Sequence, residues 1–549
     1  MSRWAREVDA WIAGDPDEAC RRELSDLIEA GDDAALARRF EHPLTFGTAG
    51  LRGEVMAGPG GMNRYTVRRT TQGVVAWLGE LGVDLDQGVV VGRDARHGSR
   101  AFADEVVFVL LGAGVRVHEL RDALPTPFVP YCVKALRAVA GVMITASHNP
   151  ARDNGYKLYA GDGAQIAPPH DQIVERFARE ALAHPALGER ADARHAYVDD
   201  EVLEDYRRHV LSRFAPSGES DLAFTYTPLH GVGGATMSSL FRRAGYRALS
   251  VVDEQFDPDP DFPTLPFPNP EEDGALDLAM RRADAAGSEL VLANDPDADR
   301  LGVAVKTPQG WRVLRGDEVG WLLASALIDE GVNEGDVMAT TIVSSTLLEK
   351  MARESAIAFE VTLTGFKWIA RAARSRTLAF GYEEALGYAV DPSVADKDGL
   401  SAALALVGLA HRLAQRGQCL SDRLDEIEGR YGVHVTAQIS LRLKDASATR
   451  ALVERLRQAP PTSLGGVAVR EVVDLEKGWR GLPATDGLVF HLASSGRVIV
   501  RPSGTEPKVK FYLEVTGVAG AGLHERREAA WALLGVVAAD VRELGERGA

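Results

Sequence analysis

Short apolar runs that break off into polar loops constrain this chain more than any other feature. Val89-Val90-Val91 and Val139 to Ile144 are too short for buried helices and rich in β-branched residues, so they read as buried strands. Helical stretches alternate with them, first from Tyr65 to Leu81, and that alternation predicts parallel βαβ construction. The pattern recurs twice. Leu222 to Tyr226, Ala248 to Val252 and Glu289 to Ala293 form a second set of strands. Val337 to Ile342, Phe359 to Thr362 and Leu378 to Tyr382 form a third. After residue 431 the period changes: Val433, Val435, Ala437, Ile439, Leu441 and Leu443 alternate with polar residues, as does Val509 to Val515. Such alternation marks half-buried antiparallel strands. The expected fold is α/β: three tandem mixed α/β domains of similar topology and a C-terminal α+β domain with an antiparallel sheet, around a central cleft. The expected boundaries are 1–205, 206–313, 314–430 and 431–549, with helices over 1–43, a linker over 183–200 and a closing helix from Leu523 to Leu544.

In open α/β sheets, ligands bind at the carboxyl ends of strands, so the loops there carry the argument. One of them is Thr145-Ala146-Ser147-His148-Asn149-Pro150, where Pro150 keeps Asn149 out of the helical region and leaves a hydroxyl beside an imidazole. A second turn is expected at Asp153-Asn154-Gly155, ahead of Lys157. Another loop is Asn294-Asp295-Pro296-Asp297-Ala298-Asp299-Arg300. Its three carboxylates, at alternate positions just past a strand, suit a hard cation with oxygen ligands. An EF-hand is excluded, because its sixth position would be Arg300 and its twelfth Lys306.

Weaker signals accompany these. Phe46 to Gly53 is a glycine-rich loop carrying Arg52, whose guanidinium suits a phosphate. Arg501-Pro502-Ser503-Gly504-Thr505 combines a guanidinium, two hydroxyls and a flexible backbone, the makings of an anion nest. Thr227 to Gly234 lacks the spacing of a P-loop or a dinucleotide fingerprint. Ser147 has no G-x-S-x-G elbow around it, which disfavours a serine hydrolase. With 549 residues and a formal net charge of −17, the chain is too long for one core and too acidic for a nucleic-acid or anionic-membrane partner. Three scattered cysteines, no apolar leader and no long apolar run lead us to expect a cytoplasmic protein.

Taken together, these strings resemble the α-D-phosphohexomutase family, in particular its phosphopentomutase and bacterial phospho-sugar mutase branch. The resemblance spans nearly the whole chain with the motifs in family order. It implies a phosphorylated sugar as partner, Mg²⁺ as cofactor and a sugar bisphosphate such as glucose 1,6-bisphosphate as activator. It implies that Ser147 carries the transferred phosphoryl group and that Ser147, Asp295, Asp297 and Asp299 hold the metal. His148, Lys157, Arg52 and Arg300 then complete the catalytic set. Arg93-Asp94 is expected behind the serine loop. Substrate binding falls to Thr364, Gly365, Glu383, Ala385, Lys397, Arg501, Ser503, Gly504 and Thr505. One departure is visible: the family's sugar loop has a serine two residues after the glutamate, where this chain has Ala385. The expected reaction interconverts hexose 1- and 6-phosphates, with a phosphopentomutase or a glucose 1,6-bisphosphate synthase as alternatives.

Overall fold

The computed structural model describes residues 2–47, 50–493, 496–502 and 508–546. Four sheets follow one another along the chain. The first has spatial order Leu51–Glu54, Asp153–Ala160, Ala140–Ile144, Val89–Arg93, Val117–Glu119, His195–Tyr197. Its interior strands read VVVGR and AGVMI and are buried almost throughout, as expected of parallel strands covered on both faces. The strand Ala140–Ile144 then returns antiparallel through Asp153–Ala160, with Met143 opposite Lys157.

The second and third sheets repeat that plan. Leu290–Ala293, parallel to Phe224–Thr227, returns antiparallel as Gly302–Thr307. Leu378–Glu383, parallel to Val337–Thr341, returns as Gly387–Ala389. Each return encloses a turn with one non-glycine residue in the left-handed region: Ser147 (φ 53°), Ala298 (φ 56°) and Leu386 (φ 60°). That conformation costs about 1 kcal/mol per residue, so each turn must be held by its surroundings. The fourth sheet is antiparallel throughout, with the two long strands His434–Arg442 and Lys508–Thr516 paired along their whole length. The closing helix Leu523–Glu546 packs over them.

One apolar core runs through the first three sheets' helices, from Phe128 through Tyr206, Phe241 and Trp321 to Leu406. Helix Gly399–Ala414 is apolar nearly all round and buried nearly all round, as a helix at the meeting point of several domains must be. The C-terminal sheet has its own core. A smaller apolar cluster joins it to the third sheet, with Ile342, Val343 and Leu363 against Leu475, Val489, Ile499 and Tyr512.

Three expectations need correction. Asp153-Asn154-Gly155 is the start of a strand rather than a turn, because a hairpin return was not distinguishable from a loop in so polar a segment. The stretch 183–200 is no free linker. Its strand His195–Tyr197 joins the first sheet, and Glu119 there accepts hydrogen bonds from Arg190 while His195 lies 2.8 Å away. Residue 205 falls inside helix Asp200–Phe214.

Candidate active site

The serine turn and the aspartate turn face each other. Ser147 is almost wholly buried; its Oγ donates to Asp295 Oδ2 at 2.7 Å and lies 3.1 Å from His148 Nδ1. Its own amide donates to Thr145 Oγ1 at 2.9 Å, which ties the left-handed residue to the strand it leaves. Lys157 comes from the return strand and is fully buried. Its Nζ donates to Asp297 Oδ2 and to Asp299 Oδ2, both at 2.6 Å. The spacing of ten residues from Ser147 to Lys157 thus carries the chain around the turn and back beside the same carboxylates.

The three aspartates are themselves buried, and one carboxylate oxygen from each lies within 4.8 Å of the others. Asp295 Oδ1 accepts from the Arg300 amide at 3.0 Å. Asp297 Oδ2 also accepts from Thr126 Oγ1 at 2.6 Å, and Asp299 Oδ2 lies 3.2 Å from Lys397 Nζ. Asp297 Oδ1 and Asp299 Oδ1 have no hydrogen-bond partner although they are buried. Buried anionic oxygens left bare cost several kcal/mol by rough estimate, and a divalent cation on an all-oxygen donor set removes that cost. The residues present therefore fit Mg²⁺.

The electrostatics agree. Burial, reinforced by the carboxylates of Asp297 and Asp299, pushes Asp295 well above the usual carboxylate range. Burial opposes charge on Asp299 too, but Lys157, Lys397 and Arg300 override it and hold that carboxyl below its ordinary value. Burial and the guanidinium groups of Arg300 and Arg52 push His148 well below an ordinary imidazole, so the ring is neutral near pH 7. Arg52 sits on the edge strand Leu51–Glu54, opposite Gly155. A Cβ on Gly155 would lie 2.6 Å from the Thr145 carbonyl and 2.7 Å from that of Leu51, so only glycine lets the arginine strand close over the serine hairpin. Arg52 Nε and Arg300 Nε are both buried without a hydrogen-bond partner.

The recognition residues gather nearby. The Gly365 amide donates to Glu383 Oε1 at 2.7 Å, and the Arg501 guanidinium donates to Thr364 Oγ1. Ala385 lines a cavity of about 600 Å³, together with His148, Glu271, Arg300, Glu384 and Lys510, so all four domains contribute to its walls. A space of that size is typical of a small-molecule site. Lys397 Nζ lies 5.6 Å from the Phe366 ring, beside Gly365, and its charge acts on the Glu383 carboxyl. It passes over Gly387, where a Cβ would meet its Cδ at 2.2 Å, and reaches Asp299. Ser503, Gly504 and Thr505 lie outside the described residues.

Arg93-Asp94, expected behind the serine loop, lies against the strand that delivers it, with Arg93 opposite Ile144 and the Asp94 amide donating to the Ile144 carbonyl at 3.0 Å. Asp94 is there, accepting from Ser99 Oγ and the Arg96 amide, but its cationic partner is Arg96, with Nε 3.4 Å from Oδ2. Arg93 Nη1 reaches only the Asp94 carbonyl. Thr126 was also missed. It lies between Pro125 and Pro127 at the start of helix Phe128–Ala135, and both its amide and its hydroxyl donate to Asp297.

Known proteins share this architecture. Models of phosphoglucomutase/phosphomannomutase domains I, II and III match residues 43–184, 204–310 and 315–431, and the model of the family's C-terminal domain matches 441–528. A Haemophilus influenzae protein named "Probable phosphomannomutase" is 41% identical over 462 residues, covering 83% of this chain and 93% of the relative. A human protein named "Phosphopentomutase" is 36% identical over 566 residues, covering 94% of this chain and 92% of the relative. Among solved structures, a phosphoglucomutase/phosphomannomutase family protein from Burkholderia thailandensis superposes with a TM-score of 0.69 at 22% identity, covering 89% of this chain and 96% of that one. A serine turn locked to a three-aspartate turn thus sits within four domains that each match a model of one family, and the chain belongs to the phosphoglucomutase/phosphomannomutase family of phosphosugar mutases.

Proposed function

We propose that the protein interconverts a hexose 1-phosphate and its 6-phosphate, with glucose as the sugar, through phospho-Ser147 and a sugar 1,6-bisphosphate. The observation that carries this reading is the Ser147 Oγ held 2.7 Å from Asp295, inside a buried triad with two bare carboxylate oxygens. Phosphoryl transfer depends mainly on positioning and on neutralising charge, and both are built here.

In the first half-reaction the P–Oγ bond of phospho-Ser147 breaks as a sugar hydroxyl oxygen bonds to phosphorus. The hydroxyl proton passes to a base, and the freed Oγ takes up a proton, for which His148, with Nδ1 3.1 Å from Oγ, is placed. In the second, Oγ gives up its proton as it bonds to the other phosphorus of the bisphosphate, the sugar O–P bond breaks, and a proton is restored to the freed sugar oxygen. Mg²⁺ held by Asp295, Asp297, Asp299 and the serine phosphate would offset the negative charge of the transferring group. Arg52 and Arg300, with unpaired Nε groups, face the same charge. Lys157 keeps Asp297 and Asp299 oriented through its two 2.6 Å contacts. Glu383, bonded to the Gly365 amide, reads sugar hydroxyls, and Arg501, bonded to Thr364, takes the distal phosphate.

A pentose substrate is the second reading. It is favoured by Ala385, which removes one hydroxyl from the sugar turn, and by the likeness to a phosphopentomutase. Turnover of glucose 1-phosphate, mannose 1-phosphate and ribose 1-phosphate, with Mg²⁺ and a trace of the cognate bisphosphate, decides between them. Faster conversion of glucose is expected, and a kcat/KM favouring ribose replaces the hexose reading with the pentose one.

A further inference from the structure

Arg96 is the residue whose geometry the mechanism above leaves unused. Its guanidinium is buried against the serine turn, and Arg96 lines a small cleft with Phe262 and Pro296 rather than the substrate cavity. Nη2 donates to the carbonyls of Ser147 at 2.6 Å and Asn149 at 2.5 Å. Nη1 donates to those of Pro150 at 2.7 Å and Asp153 at 3.1 Å. One planar cation therefore gathers four carbonyls from a single turn, including that of the left-handed Ser147 itself. Carbonyl dipoles repel one another when pointed inward, and a fork of fixed donors is what holds them so. A lysine has a point charge and could not match that fan.

A second domain closes over this guanidinium. The Phe262 ring lies 4.9 Å from Arg96 Cζ and is itself buried. Phe262 is left-handed (φ 48°), as are Leu229 (φ 48°) and His230 (φ 60°), and the two segments are stitched by His230 with Thr264 at 2.8 Å. The space left between Arg96, Phe262, His230 and Pro296 is only about 10 Å³, so the joint is tightly packed. Pro296 belongs to the aspartate turn, and its carbonyl accepts from the Val232 amide at 2.8 Å.

We propose that Arg96 is a positioning residue that sets Ser147 for phosphoryl transfer, and that Phe262 makes this setting depend on docking of the second domain. The inference rests on Ser147 being the phosphoryl carrier. A shift of about 1 Å in a nucleophile costs rate rather than binding, to the order of 100-fold. The variants are Arg96→Lys, Phe262→Leu and the pair together. The probe is glucose 1,6-bisphosphate or ribose 1,5-bisphosphate, and the readouts are the rate of Ser147 phosphorylation by intact mass, kcat and KM, and thermal melting. Arg96→Lys is expected to lower kcat and the phosphorylation rate at least about tenfold with KM within about twofold. Phe262→Leu is expected to lower the same two quantities by less, and the double variant to fall short of the product of the two. A folded Arg96→Lys enzyme with wild-type kcat and phosphorylation rate overturns the proposal, and so does a rise in KM with kcat intact. Absence of phospho-Ser147 in the wild-type enzyme would instead remove the proposed function on which the inference stands.

Discussion

Two of the three hairpin turns and the third make an instructive pair of regions. The serine and aspartate turns are bonded to each other by Ser147 to Asp295 and by Lys157 to Asp297 and Asp299. The turn at Glu383 to Leu386 has the same strand–turn–return plan but joins the aspartate turn through backbone, with the Leu301 amide on the Leu386 carbonyl at 3.1 Å. Its side chains go elsewhere: Glu383 to the Gly365 amide, Glu384 to Ser344 Oγ at 2.9 Å. One supersecondary device thus serves two ends. Where the side chains lock to one another, the geometry is fixed before substrate arrives, as charge-neutralising catalysis requires. Where they line a cavity instead, they remain available to read a ligand.

This contrast predicts that damage to the locked pair appears in kcat and damage to the third turn in selectivity. The largest effect is expected for Ser147→Ala, which should lose more than about 10³-fold in kcat while melting close to wild type. Retention of most activity would dissolve the distinction, because the locked region would then not be the reacting one. Next comes the metal. Asp299→Asn removes charge from a carboxylate that has one bare oxygen, so Mg²⁺ should raise the melting temperature of the wild type and not of the variant. Chelation should silence the wild type reversibly. An equal thermal response in both proteins would place the cation elsewhere.

A smaller effect is expected at the open turn. Ala385→Ser restores a hydroxyl to the cavity wall and should shift the glucose to ribose kcat/KM ratio by about tenfold, leaving Mg²⁺ dependence unchanged. No shift would mean that the third turn does not read the sugar ring. The smallest effect concerns stability. Burial, with Glu383 and Asp317 adding repulsion and the Ser344 hydrogen bond opposing it, raises Glu384 from an ordinary carboxyl to about 7. A raised acid costs stability as the pH climbs from the unfolded value near 4.5 through 7, since the folded group holds a proton that the unfolded one has released. Glu384→Gln should therefore raise the melting temperature at pH 8 and leave it unmoved at pH 4. A gain that is independent of pH would show that the side chain acts by packing alone.

Much of this arrangement was legible in the chain. The runs at Val139 to Ile144 and Glu289 to Ala293 mark their strands, and the loops after them hold their chemistry locally: a serine beside a histidine, three aspartates at alternate positions. Local signals of that kind survive because strand period and turn composition act over a few residues. The return strands were not legible, since Asp153-Asn154-Gly155 carries turn residues in a strand whose extended form is set by pairing with Arg52-Gly53-Glu54.

By itself, then, the sequence determined the two loops whose serine and aspartates the fold brings together, the order of the four domains and the family they belong to. Only the tertiary structure decided which cation stands behind the serine, that Thr126 and Lys397 reach the aspartates, and that all four domains wall one cavity. The physical reason is distance along the chain. Asp295 lies 148 residues from Ser147, and Thr126 lies 171 from Asp297. Contacts of that separation are fixed by how sheets and helices pack, and no local periodicity encodes them.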